Sequence, residues 1–289
     1  MKSFVFITGA TGGLGKAFAA ECASRGWNLF LTDRSSEALE ALVQGLSRLY
    51  GVFIYAWRCD LTLAEARRAL WEQARSLGLH FHMLVNVAGI DFEGPFVERS
   101  PGELQNIVRL NVEATVDMTQ RVLSFRDPTR TLRIINVSSL ASYYPMPVKA
   151  TYAASKRFLL DFSLALDQEL RSIGVTLTVL CPAGMPSNPE CIHAINAQGW
   201  MGQLTTMNVG DVAARAIDAA LKGRRVYVPG FPNQVLRSLG SILPSSLVTS
   251  LIGKRWKKAR QKRFPAPVSA TERVLAASKG GLVEEPSTP

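Results

Sequence analysis

The chain has 289 residues, 47% hydrophobic and 19% charged, which excludes global disorder and leaves enough apolar material for a sizeable core. No uninterrupted apolar run approaches the ~20 residues that cross a bilayer. The four scattered cysteines and three histidines offer neither a disulfide framework nor a metal site. The net charge of +10 is concentrated at one end: residues 254–289 hold nine Lys/Arg against three Asp/Glu, net +6, leaving +4 for the rest.

In chain order, apolar and β-branched runs predict strands over Phe4–Thr8, Asn28–Asp33, Phe53–Arg58, Met83–Asn86, Arg133–Val137, Val175–Cys181 and Arg225–Val228. Between them, helical periodicity covers Leu14–Arg25, Ser36–Tyr50, Leu63–Leu77, Pro101–Phe125, Thr151–Ile173 and Val209–Lys222. Ser35 caps the second helix, Ser100-Pro101 opens the fourth, and Gly174 suits a C-terminal cap before the sixth strand. Strands that alternate with helices require crossovers, so an α/β fold is expected, with a parallel sheet of about seven strands covered on both faces. Residues 182–207 are irregular and rich in Pro and Gly, a long excursion at the carboxyl end of a strand, where open α/β sheets bind ligands. Beyond Gly230 come two amphipathic stretches broken at Pro244, then seven cations within Lys254–Arg263, then a polar Pro/Ser-rich end expected to be disordered. The expected organisation is a body over 1–230 with a substrate loop over 182–207, a basic extension over 231–263, and a tail over 264–289. The strand-like Phe4–Ile7 directly follows Met1-Lys2-Ser3, so no leader is expected and a reducing, cytoplasmic location follows.

Residues 4–15 read FVFITGATGGLG: a strand, a glycine cluster, then a helix start. Such a turn brings backbone N–H groups at a helix N-terminus up to a pyrophosphate, where the helix dipole favours negative charge. Eighteen residues beyond Gly15, Asp33 ends the second strand, the expected place for a carboxylate that accepts from the adenosine ribose hydroxyls. That carboxylate repels a ribose 2′-phosphate and points to NAD. The adjacent Arg34 can instead pair with the phosphate, so NADP stays as the alternative.

The ordered set Thr8-Gly9-x-x-x-Gly13-x-Gly15, Asp60, Asn86-Val87-Ala88-Gly89, Asn111, Asn136-Val137-Ser138-Ser139, Tyr152-x-x-x-Lys156 and Pro182 resembles the short-chain dehydrogenase/reductase family, single-domain subclass, over about residues 3–230. The glycine turn also fits the spelling of the extended subclass through Gly9, Gly12 and Gly15; the chain length and the NxAG motif favour the single-domain one. The resemblance implies a Rossmann-type, doubly wound sheet and an assembly of identical chains. It also implies cofactor contacts from Thr8, Gly9, Gly13, Leu14, Gly15, Asp33, Arg34, Asp60, Asn86, Ala88, Gly89 and Pro182. Within the family, members with C-terminal extensions among the hydroxysteroid dehydrogenases and β-ketoacyl reductases look most similar.

Tyr152 and Lys156 stand four apart on a helix, so they share a face. A phenol with a reference pKa near ~10 exchanges protons poorly at neutral pH, and a neighbouring ammonium favours the phenolate. Tyr152 is therefore the expected acid/base of a carbonyl–alcohol interconversion, with Lys156 lowering its proton affinity. The resemblance further implies that Lys156 holds the nicotinamide ribose, that Ser139 (with Ser138 as runner-up) binds the substrate oxygen, and that Asn111 anchors a proton relay.

The chain departs from the family at Pro182-Ala183-Gly184, where Pro-Gly is usual. Ser187 stands where a threonine usually contacts the nicotinamide, and Ser142 replaces a common glycine, with Tyr143-Tyr144 following on either the substrate or the core side. Residues 185–207 are mostly apolar with no Lys or Arg, which points to a bulky apolar alcohol or ketone: a steroid, a lipid-derived ketone or a β-ketoacyl chain. The apolar stretches followed at once by seven cations set a further expectation, peripheral contact with an anionic membrane, beside a simpler one in which they cover the pocket. Two other classes fit the sequence less well. A silent dinucleotide-binding sensor is opposed by the complete Ser139, Tyr152, Lys156 set, and a nucleic-acid binder by a basic run without any recognisable module.

Overall fold

The computed structural model describes residues 2–185, 206–242, 244 and 246–254. Its elements run β1 (Ser3–Thr8), α1 (Gly13–Ser24), β2 (Asn28–Asp33), α2 (Ser36–Leu49), β3 (Ile54–Arg58), α3 (Ala64–Ser76), β4 (His80–Asn86), α4 (Pro101–Val108), a π-helical turn (Arg109–Ala114), α5 (Thr115–Val122), β5 (Leu132–Val137), α6 (Ala150–Leu170), β6 (Val175–Leu180), α7 (Val209–Leu221), β7 (Val226–Tyr227) and α8 (Phe231–Ile242). A last helix covers 246–254. The strands form one parallel sheet in the order β3-β2-β1-β4-β5-β6-β7.

Alternation along β1 shows how the sequence makes two layers. Val5 and Ile7 join a core with Leu14 and Phe18 of α1, Leu39 of α2, and Val212 and Ile217 of α7. Phe4 and Phe6 point the other way, into Phe30, Phe81, Trp71 of α3 and Phe125. Each such ring, fully buried, contributes ~1.5–3 kcal/mol of hydrophobic stabilisation. Both faces are thus covered, as all-parallel sheets require.

Two elements differ from their expected form. β4 starts at His80 rather than Met83, because the register with β1 slips between Phe4↔Phe81 and Val5↔Met83 and leaves His82 as an extra residue. The bulge hides the strand's first half from a period-two reading. His82 is buried there, with Nδ1 3.0 Å from Ser3 Oγ, and desolvation pushes its pKa down to about 4. The single helix expected over 101–125 is interrupted by the π-helical turn at Asn111, while its start forms the capping box of Ser100 and Glu103.

β1 pairs with β2 on one side and β4 on the other, so the connections diverge at the carboxyl ends of β1 and β4. That divergence opens the crevice in which doubly wound sheets bind ligands. The glycine turn, Asp33 and the Asn86–Gly89 loop all stand at this end.

Candidate active site

The glycine turn is shaped by close approach. Gly9 has φ +64°, and a Cβ there would sit 2.7 Å from Ala88 Cα; a Cβ on Gly15 would sit 2.0 Å from the Gly9 carbonyl oxygen. The missing side chains let the turn lie against the loop after β4 and let α1 pack onto the turn. The α1 N-cap, Gly12, makes no side-chain capping bond, and no acidic residue stands in the first turn with Gly13 and Leu14. Those N–H groups and the helix dipole therefore suit an anion. Asp33 is held at the edge of the turn, its carboxylate accepting from the N–H of Thr11 (3.0 Å) and of Arg34 (2.7 Å). Asp60, exposed, caps its own turn by accepting from Thr62 N–H and Oγ1. An uncapped helix start, a carboxylate at the end of β2 beside the turn and backbone cleared for close approach fit a dinucleotide cofactor.

Other predicted residues work from beneath the crevice. Thr8 Oγ1 accepts from the N–H groups of Val87 and Ala88, fastening β1 to the loop that carries Gly89. Asn86 donates to Asn136 Oδ1 (2.8 Å) and Thr119 Oγ1 (3.2 Å), and Asn136 donates to Ser163 on α6. Pro182 is buried and its carbonyl accepts from Leu140 N–H.

The Tyr152–Lys156 pair is built on the first two turns of α6. Lys156 Nζ lies 5.7 Å from the Tyr152 ring centroid and donates to the Val137 carbonyl at 2.9 Å. Burial pushes the Lys156 pKa down to about 8, with Asp91 opposing the shift. A Cβ on Gly89 would come 3.1 Å from Asn111 Oδ1 and 3.2 Å from Lys156 Nζ, tight contacts that any larger residue would press on both groups. Asn111 is fully buried in the π-helical turn; its amide donates to Ile90 O and Ser155 Oγ (both 3.0 Å) and accepts from Ile90 N–H. Ser155 in turn donates to the Tyr152 carbonyl, so Asn111 ties the β4 loop to the helix that carries the tyrosine. Ser138 is buried and donates to the Lys156 carbonyl at 2.6 Å. Ser139, half-buried, accepts from Ala141 N–H and keeps its own proton to donate.

The short chain dehydrogenase family matches residues 3–190, most of the chain and the whole of this site. The chain belongs to that family. Among curated relatives, 17-beta-hydroxysteroid dehydrogenase type 3 of Mus musculus is 35% identical over 185 residues, 63% of this chain and 60% of the relative. A very-long-chain 3-oxoacyl-CoA reductase of Laccaria bicolor is 33% identical over 178 residues, 61% of this chain and 52% of the relative. The aligned part thus spans about three-fifths or less of these relatives' lengths. A short chain dehydrogenase/reductase from Burkholderia phymatum in complex with NAD superposes with TM-score 0.72 at 23% identity, over 82% of this chain and 92% of that one. The Pseudomonas aeruginosa RhlG/NADP active-site complex does so with TM-score 0.69 at 24% identity, over 78% and 94%. At these identities the two structures bear on the fold alone.

Among the expected short-chain dehydrogenase residues, Ser187 lies outside the described residues, as does most of the substrate loop. Its two described ends, Met185 and Met207, pack against the α1–α7 core. Tyr143 and Tyr144 are partly buried and pack at the edge of the cluster formed by Leu140, Leu160, Val179, Cys181 and Val228. One residue absent from the expected set stands against the Tyr152 ring, Lys149, and Asp91 and Glu93 pair with it in turn. Lys149 stands three residues before Tyr152, a helical spacing that was readable. Nothing local marks its partners.

Proposed function

We propose that the chain is an NAD(P)-dependent oxidoreductase interconverting a bulky, apolar alcohol and ketone, a steroid, a lipid-derived ketone or a β-ketoacyl chain, with Tyr152 as acid/base. The observation that carries this reading is the Tyr152 ring set 5.7 Å from a buried ammonium at the mouth of the crevice, beside an uncapped helix start. The bound nicotinamide supplies or takes up the hydride. The chain's own residues do the rest: Ser139 donates to the substrate oxygen, Tyr152 gives or takes its proton, and Lys156 favours the phenolate. Asn111 holds the elements in register. The test follows nicotinamide absorbance over a panel of bulky and small, apolar and charged ketones and alcohols with both cofactors. Turnover confined to small or charged compounds, or none at all, overturns the reading.

Asp33 favours NAD. Asp33→Ala removes an acceptor for the ribose hydroxyls and the repulsion of a 2′-phosphate, while exposed Arg34, whose carbonyl accepts from Arg58 Nε, remains to pair with it. NAD affinity should fall about tenfold and NADP affinity should rise. Both dissociation constants are read by fluorescence titration of the reduced cofactors. Tighter NADP than NAD binding by the unaltered chain would reverse the preference.

No helix among the described residues is long and apolar enough to cross a membrane. α8 is nonetheless two-faced: Leu236 packs on the body, while Phe231 (77% exposed), Val235 and Leu239 recur every four residues on the open side. Leu247 and Leu251 continue the exposed apolar surface in 246–254, directly before the cationic run. The three described cysteines are unpaired and buried, which suits a reducing compartment. We read this as a cytoplasmic enzyme that touches anionic membranes peripherally, at ~1 kcal/mol per surface cation. Salt-sensitive co-sedimentation with anionic vesicles is expected, and its loss in a chain lacking residues 254–289. Equal pelleting of both chains would remove the cations from the mechanism. The expected assembly of identical chains has a surface to use in Phe158, exposed on α6 and stacked on Phe162.

A further inference from the structure

A second ammonium stands beside the tyrosine. Lys149 Nζ lies 5.8 Å from the Tyr152 ring centroid, as near as Lys156 Nζ at 5.7 Å. It forms ion pairs with Asp91 and with Glu93 (3.4 Å), both on the loop that leaves the Asn86–Gly89 motif. Burial works against its charge, but the two carboxylates outweigh burial and hold its pKa above the ordinary lysine value.

The backbone is bent to place it. Val148 has φ +62°, the only positive φ outside glycine among the described residues. A β-branched residue in that region costs ~1–3 kcal/mol and persists only where its surroundings impose it. Here the Gly94 N–H donates to the Val148 carbonyl at 2.9 Å, fastening the same loop to the residue before Lys149. Lys149 is also the N-cap of α6, its carbonyl accepting from Ala153 N–H.

We propose that Lys149, clasped by Asp91 and Glu93, is a positioning residue for the Tyr152 ring and sets its proton affinity together with Lys156. This rests on the reading of Tyr152 as acid/base. Lys149 and Lys156, from α6 and its approach, stand against the ring, and Asp91 and Glu93 from the β4 loop act on them, both pairing with Lys149 and Asp91 also acting on Lys156. The Cys181 thiol at the end of β6 acts on Lys156, and burial keeps that thiol protonated.

The sign follows from the charges. Lys149→Met removes a cation from beside the ring and leaves the charge of Asp91 and Glu93 without it, which disfavours the phenolate and raises the ionisation midpoint of Tyr152 by about one pH unit. Lys149→Arg keeps the cation and should restore the midpoint. Asp91→Asn with Glu93→Gln keeps Lys149 and removes both negative charges, so the midpoint should fall. The midpoint is read from tyrosinate ultraviolet absorbance, as the difference between each chain and its counterpart carrying Tyr152→Phe in addition. This readout needs no turnover: a shifted midpoint in a chain that reduces no ketone sustains the clasp while the oxidoreductase reading falls. An unmoved midpoint in Lys149→Met overturns the proposal, as does an arginine variant that shifts as far as the methionine one. If Lys149→Met fails to fold, the carboxylate double variant decides, and a midpoint that does not fall there overturns the proposal.

Discussion

Tyr152→Phe should lose at least about 100-fold in turnover while it keeps its fold and its cofactor affinity. The substitution removes one oxygen and leaves the ring, so the packing of α6 and both ammonium–ring contacts survive. A positioned acid/base contributes typically ~10²–10⁴-fold, and among the described residues no other phenol ring is placed over Lys156: Tyr143 bonds to Cys181 and lies under Arg237 of α8, and burial raises its pKa further. The measurement is kcat on the best ketone of the panel, with cofactor dissociation constant and Tm recorded alongside. Turnover at the unaltered rate would remove Tyr152 from the chemistry; a lowered Tm with weakened cofactor binding would make its role structural.

Gly15→Ala should destabilise the chain by about 2–4 kcal/mol and weaken cofactor binding at least about tenfold. The added Cβ would stand 2.0 Å from the Gly9 carbonyl oxygen and 2.9 Å from Ala10 Cα and carbonyl carbon. All of these are backbone atoms, so no rotamer change relieves the clash, and α1 must move off the turn whose N–H groups face the crevice. Gly45→Ala is the internal contrast: this glycine is exposed within α2 and nothing lies within 4 Å of its would-be Cβ. There alanine should stabilise, by up to about 1 kcal/mol, through helix propensity alone. Thermal unfolding of the two variants reads both signs, and an unchanged Tm for Gly15→Ala would mean that the turn is looser than its geometry states.

The order of elements, the parallel sheet and the glycine turn were legible because each is written locally. Apolar runs such as Val175–Leu180 mark strands buried on both faces, and the four-residue step from Tyr152 to Lys156 places both on one helical face without any tertiary knowledge. Asp33 was legible by its place at the end of the second strand. The rest depended on contacts between residues far apart in the chain. Spacing favoured Ser139 over Ser138 as the substrate-facing serine; what each hydroxyl touches came only with the fold, which spends Ser138 on the Lys156 carbonyl and leaves Ser139 half-buried. The bulge at His82 exists only in the register of β4 with β1, and the exposed side of α8 only once Leu236 is seated on the body. The clasp is the clearest case. Asp91 and Lys149 lie 58 residues apart, joined because the β4–β5 pairing carries the loop after β4 alongside the start of α6. Periodicity reports which way a side chain faces along its own element. Which charges then meet across elements is set by strand order and register, and these were decided by how the whole sheet buries its two apolar faces.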